Sequence, residues 1–129
     1  MQNKQSTSIA KFGIIGERML LVELFPESEI VLKDVVYLYE KADAFMGNRM
    51  FTVLLDTRGH NTWEIPTEVL KFMATTPYSK KHIAFAIVVD TIPMRMFSNL
   101  YLTVYQPLTT TKVFSNRQKA EDWLNSYAN

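Results

Sequence analysis

At 129 residues the chain is long enough for one domain with its own core, and at 47% hydrophobic and 21% charged it has an ordinary globular composition. Fourteen basic and 13 acidic residues leave a net charge of +1, which gives no general attraction to nucleic acid or to an anionic membrane. The absence of cysteine excludes disulfides, thiolate metal sites and a cysteine nucleophile, and fits a cytoplasmic protein.

Residues 1–6 are polar and read as a frayed, disordered end, without the apolar stretch of a signal peptide. Thr7–Ile15 and Met19–Phe25 are extended stretches joined by Gly16-Glu17-Arg18, a hairpin signal, and Pro26 ends the second. Leu32–Met46 repeats its apolar residues at spacings of three and four, which predicts a helix stopped by Gly47, although Val31 offers no side-chain cap. Phe51–Leu55 and Ile83–Val89 are short apolar runs that stop at Asp56 and Asp90. Runs without strict alternation suit parallel strands buried on both faces. A helix from Pro66 to about Thr76 lies between them, so the stretch forms a β-α-β crossover with both aspartates at one edge of the sheet.

A third helix, Met94–Tyr105, is entered through Thr91-Ile92-Pro93 and closed by Pro107. Thr111–Phe114 reads as a last strand. Ser115 and Gln118 form a capping box for a final helix with the stripe Ala120, Trp123, Leu124 and Tyr127. The expected order is β-β-α-β-α-β-α-β-α in a single α/β domain over 1–129, with an N-terminal hairpin, parallel central strands and helices covering the sheet. No apolar run approaches the roughly 20 residues needed to span a bilayer, which excludes stable membrane insertion by a helix.

Four segments carry a resemblance. They are Leu54-Leu55-Asp56-Thr57-Arg58, Ala84–Asp90, Phe97-Ser98-Asn99-Leu100-Tyr101, and the ending Val113–Asn116 through Ala120–Leu124. On these and on the element order, the chain resembles the SpoIIAA-like fold of STAS domains and Sec14-type lipid-binding domains. More narrowly, it resembles small bacterial STAS/SEC14-like proteins of unknown function. The resemblance implies a non-enzymatic protein-interaction or regulatory module that binds a protein partner or itself. The Sec14 side implies the alternative, a small carrier or sensor of an apolar, lipid-like ligand. Anti-sigma factor antagonists carry a phosphorylatable serine after the central strand. Asp56–Thr67 holds no serine, so the resemblance does not extend to that switch.

Among chemical groups, Asp56 and Asp90 stand out, because ligands of open parallel sheets gather at the carboxyl ends of the strands. Two carboxylates there could hold a cation or divide acid and base roles. The preferred reading is that each accepts hydrogen bonds from nearby backbone. His60, with Arg58 and Asn61 beside it, reads as a solvated loop histidine, and no nucleophile is placed for it to activate. Lys80-Lys81-His82 reads as a solvated strand entrance, with His82 structural, and Trp63 as a cap on the sheet or a subunit contact. Asn99 is expected to satisfy a buried backbone group. The third helix is apolar nearly all round, through Met94, Met96, Phe97, Leu100, Tyr101, Leu102, Val104 and Tyr105. That predicts a homodimer contact or a partly apolar pocket beneath it. The candidate surface is therefore Asp56, Arg58, His60, Asp90, Met94, Met96, Phe97 and Tyr101, with no cofactor, metal or catalytic set.

Overall fold

The strands run Gln2–Ser6 (β1), Ala10–Ile15 (β2), Met19–Leu24 (β3), Phe51–Asp56 (β4), His82–Val88 (β5) and Thr111–Phe114 (β6) in a computed structural model that describes residues 1–60 and 65–127. The helices are Leu32–Met46 (α1), Thr67–Thr75 (α2), Ile92–Tyr105 (α3) and Arg117–Asn125 (α4). The strands form one mixed sheet in chain order, β1 to β6. β1, β2 and β3 pair antiparallel, and β3 to β6 pair parallel.

Strand alternation sorts the side chains into two layers. On one face Leu20, Val22, Val53, Phe85 and Ile87 pack under α1, α2 and α3. On the other, Met19, Leu21, Leu54, Ala84, Ala86 and Val88 pack against Ala120 and Leu124 of α4. The central strands are buried on both faces, which is why β4 and β5 read as continuous apolar runs rather than as alternating ones. The alanines at 84 and 86 leave room for α4 to lie close over the sheet.

Local signals set most of the ends. Val35, Leu38, Ala42 and Met46 form the buried stripe of α1, and Gly47 closes it at φ 67°, its N–H donating to the Asp43 and Ala44 carbonyls. Pro66 occupies the cap position of α2, one residue before the place expected of it, and Thr76 is extended ahead of Pro77. Thr91 caps α3 by accepting from the Met94 N–H at 3.2 Å. The cap of α4 is Asn116 and not Ser115: its Oδ1 accepts from the Lys119 N–H at 2.9 Å. Gln118, expected to complete a capping box, donates instead to Asp122.

Two further stretches differ from expectation. Residues 2–6 are not frayed; they form β1, pairing Gln5 with Phe12 and Ser6 with Lys11. All five β1 side chains are exposed, so this edge strand is held by main-chain hydrogen bonds and shows no apolar alternation. Pro77–Lys81 forms a short 3-10 turn in which Lys81 is not merely solvated. Its Nζ lies 3.0 Å from Asp43 Oδ1 and donates to the Gly47 carbonyl at 2.6 Å, tying β5 to the end of α1. No helix among the described residues is long and apolar enough to cross a membrane.

Gly13 of β2 faces β1 so closely that an added Cβ would lie 2.7 Å from the Gln2 carbonyl oxygen. Gly13→Ala is expected to cost roughly 1–3 kcal/mol through overpacking. It should release β1 selectively, read by hydrogen exchange as lost protection at residues 2–6 with the central strands unchanged.

Candidate functional site

At the carboxyl edge of the sheet, Asp56 ends β4 and is nearly buried. Its Oδ1 accepts from the Arg58 main-chain N–H at 3.1 Å and from Nε at 3.0 Å, and Oδ2 accepts from the Arg58 guanidinium at 2.7 Å. Arg117 stands 3.8 Å from the same carboxylate and bridges to Glu23 and Glu121. These hydrogen bonds, donated to Asp56, hold the Arg58 guanidinium pKa above its ordinary value. Asp90 takes a separate partner, accepting the Gly59 N–H at 3.1 Å. Gly59 has φ 83°, a left-handed conformation that favours glycine. Each aspartate is thus committed to its own loop contact. Among the described residues, no three or more His, Asp or Glu side chains group as metal ligands.

His60 does not join this edge. It is 5% exposed, so the solvated-loop reading is wrong. Its Nε2 lies 3.0 Å from the Ser28 carbonyl oxygen. A carbonyl can only accept, so that contact requires Nε2 to carry the hydrogen. The ring faces inward, onto a cavity.

That cavity, about 110 Å³ in volume, lies between the inner face of the sheet and α1, α2 and α3. Its wall is overwhelmingly apolar, with Leu38, Val53, Val69, Phe85, Met94 and Phe97 among the lining residues. The polar lining groups include Thr57, His60 and Ser98, together with Tyr39, Asp43, His82 and Tyr101. Thr57 donates to the Val88 carbonyl at 2.8 Å. His82 packs edge-on to Phe51 at 5.0 Å and lies 6.2 Å from both Tyr39 and Phe85. Burial among these rings pulls its pKa down to about 4, against the upward pull of Asp43, while Lys81 lowers it further. Burial likewise pushes the Tyr39 and Tyr101 phenols well above their ordinary range.

A model of the family described as Domain of unknown function (DUF7793) matches residues 14–128, which takes in β3 to β6 and all four helices. The chain belongs to the DUF7793 family. No curated protein and no solved structure matches the chain.

In this DUF7793 domain the candidate residues fall into three groups. Asp56, Arg58 and Asp90 share the sheet edge. His60, Met94, Phe97 and Tyr101 line the cavity. Met96 belongs to neither: it is 67% exposed, in a row with Ile92, Leu100 and Val104 on the outer side of α3. Asn99 is exposed and satisfies no buried group among the described residues; the buried polar residue of this helix is its neighbour Ser98. Sequence reasoning passed over Ser98 and Tyr39. The signal was a hydroxyl interrupting the stripe Met94, Ser98, Tyr101. Trp63 and Asn61 lie outside the described residues.

A neutral His82 is preferred in the fold, whose His82 pKa of about 4 lies below the ordinary 6.5 of the unfolded chain. Its contribution to stability is therefore complete above about pH 6.5 and lost as pH falls toward about 4, at about 1.4 kcal/mol per unit of displacement. Replacing His82 with Phe should flatten that limb of the stability profile. Denaturant midpoints of both proteins from pH 8 to pH 4 check this.

Proposed function

We propose that this DUF7793 domain is a non-enzymatic binding module of STAS-like, SpoIIAA-like architecture, working in the cytoplasm, whose ligand is a small apolar molecule held between sheet and helices. The cavity carries the reading. An engineered cavity of about 150 Å³ lined by Leu, Ile and Phe binds benzene, so a void of about 110 Å³ suits a single ring or a short alkyl chain. The architecture is supported by the chain-order sheet and by the helices alternating with β3 to β6. The non-enzymatic reading is supported by the edge chemistry, where Asp56 and Asp90 are engaged by Arg58 and Gly59 and His60 points elsewhere.

Titration with benzene, followed by amide and methyl NMR, tests the proposal. Saturable shifts are expected at Val53, Val69, Phe85 and Met94. Ala42, buried on α1 and lining the void, offers the control: Ala42→Leu should fill the space and abolish the shifts without lowering thermal stability. A wild-type protein with no saturable shifts would overturn the reading.

A second reading, self-association through α3, is favoured by the row Ile92, Met96, Leu100 and Val104, each 61 to 74% exposed and spaced four apart. Such a row on a helix whose only charge is Arg95 suits an apolar contact between copies. Sedimentation velocity is expected to show a dimer that Met96→Glu or Leu100→Glu dissociates; a wild-type monomer at high concentration would remove this reading.

A further inference from the structure

The cavity is not chemically uniform. Ser98 and Tyr101 stand three residues apart on the buried side of α3, 5% and 6% exposed, and both line the void. Tyr39 of α1 lines it as well, its ring edge-on to Phe72 at 5.1 Å. None of these three hydroxyls has a hydrogen-bond partner among the described residues. A helical hydroxyl usually escapes this by donating to the carbonyl four residues back, as Thr103 does to Asn99 at 3.1 Å. Ser98 makes no such bond. Buried polar groups are paired in the great majority of proteins, and a hydroxyl left open on a cavity wall points to a partner supplied from the cavity.

Charge limits what that partner can be. Among the titratable groups on the described lining, burial keeps His82 neutral, His60 is engaged with the Ser28 carbonyl, and Asp43 is paired with Lys81, whose ammonium is also committed to the Gly47 carbonyl. Arg58 faces the opposite way, onto Asp56 at the sheet edge. The phenols of Tyr39 and Tyr101 keep their protons and remain donors. An anionic head would shed its water without meeting a free cation, and a cationic one would meet no free carboxylate.

We infer that the cavity binds an uncharged molecule of one ring or a short chain that bears a single hydroxyl, a phenol or small alkanol, with the hydroxyl between Ser98 and Tyr101 and the hydrocarbon against Val53, Val69 and Phe85. The inference rests on the apolar-ligand reading and adds the head group. The ligand hydroxyl accepts from one protein hydroxyl and donates to the other, while the ring occupies the apolar wall. Two neutral hydrogen bonds formed away from water favour the hydroxylated ligand over its parent hydrocarbon by about tenfold in affinity.

Dissociation constants for benzene, phenol and benzoate at pH 7.5, taken from NMR titrations of the whole chain, test this. The wild type should bind phenol about tenfold more tightly than benzene and should not bind benzoate. The double variant Ser98→Ala with Tyr101→Phe should bind both neutral ligands equally, its retained benzene affinity showing that the cavity is still folded. Benzene binding without a preference for phenol would overturn the inference and leave the apolar-ligand reading standing. So would benzoate binding as well as phenol, or a phenol preference that survives the double variant. If neither neutral ligand binds, the apolar-ligand reading fails and the inference with it.

Discussion

The central strands must satisfy two packing layers at once, and that requirement organises the molecule. In β4, Val53 points into the larger layer while Leu54 points into the smaller, and the parallel register repeats the pattern in β3 with Leu20 and Leu21 and in β5 with Phe85 and Ala86. The two layers are built differently. Ala84 and Ala86 present little bulk to α4, which settles close through Ala120 and Leu124. On the other side large rings lie between sheet and helices: Phe51, His82 and Phe85 on the strands, Tyr39 and Phe72 on α1 and α2. Rigid rings pack edge-on and do not collapse into every gap as methionine does, so the helices are spaced from the sheet and a void persists beside them.

The polar groups divide along the same line. The sheet edge holds the strongest charge pairing, with Asp56 gripped by Arg58 through both carboxylate oxygens and approached by Arg117. A carboxylate this buried is tolerable only because both oxygens are satisfied, and removing its partners would strand it. Arg58 itself is half exposed, so part of its attraction is screened by water and the pair acts more as a brace for the β4 loop than as a large source of stability. The cavity side holds mostly weakly polar groups: hydroxyls, His60 bonded to the Ser28 carbonyl, and His82 pulled down to about 4 by burial, with Asp43 neutralised by its ion pair to Lys81. Charge is concentrated at the sheet edge, and the wall of the cavity is left mostly apolar.

What the sequence makes legible follows from this construction. The ends of α1, the placement of β4 and the whole of β6 could be read because apolar periodicity and Gly47 are local signals. The fate of Asp56 and Asp90 was also readable in outline, as backbone acceptors at strand ends. β1 was not, because an edge strand held by main-chain bonds leaves no side-chain pattern. His60 was misread because its burial depends on Ser28, 32 positions away, and on the left-handed turn at Gly59. The cavity was foreseen only as a pocket beneath α3, since a void is a failure of several elements to meet and no single segment encodes it. Ser98 could have marked it: a small hydroxyl between Met94 and Tyr101 on an otherwise apolar stripe has to face something.

The central claim is that the space between the sheet and α1, α2 and α3 is a preformed, ligand-accepting void. Xenon, an uncharged and polarisable atom that enters dry apolar cavities, tests it most directly. In crystals of the protein pressurised with xenon, the account predicts an anomalous peak between Val53, Val69 and Phe85, with these side chains unmoved from the unpressurised crystal. A space filled by rotated Phe97 or Met94 side chains, with no xenon peak, would contradict it.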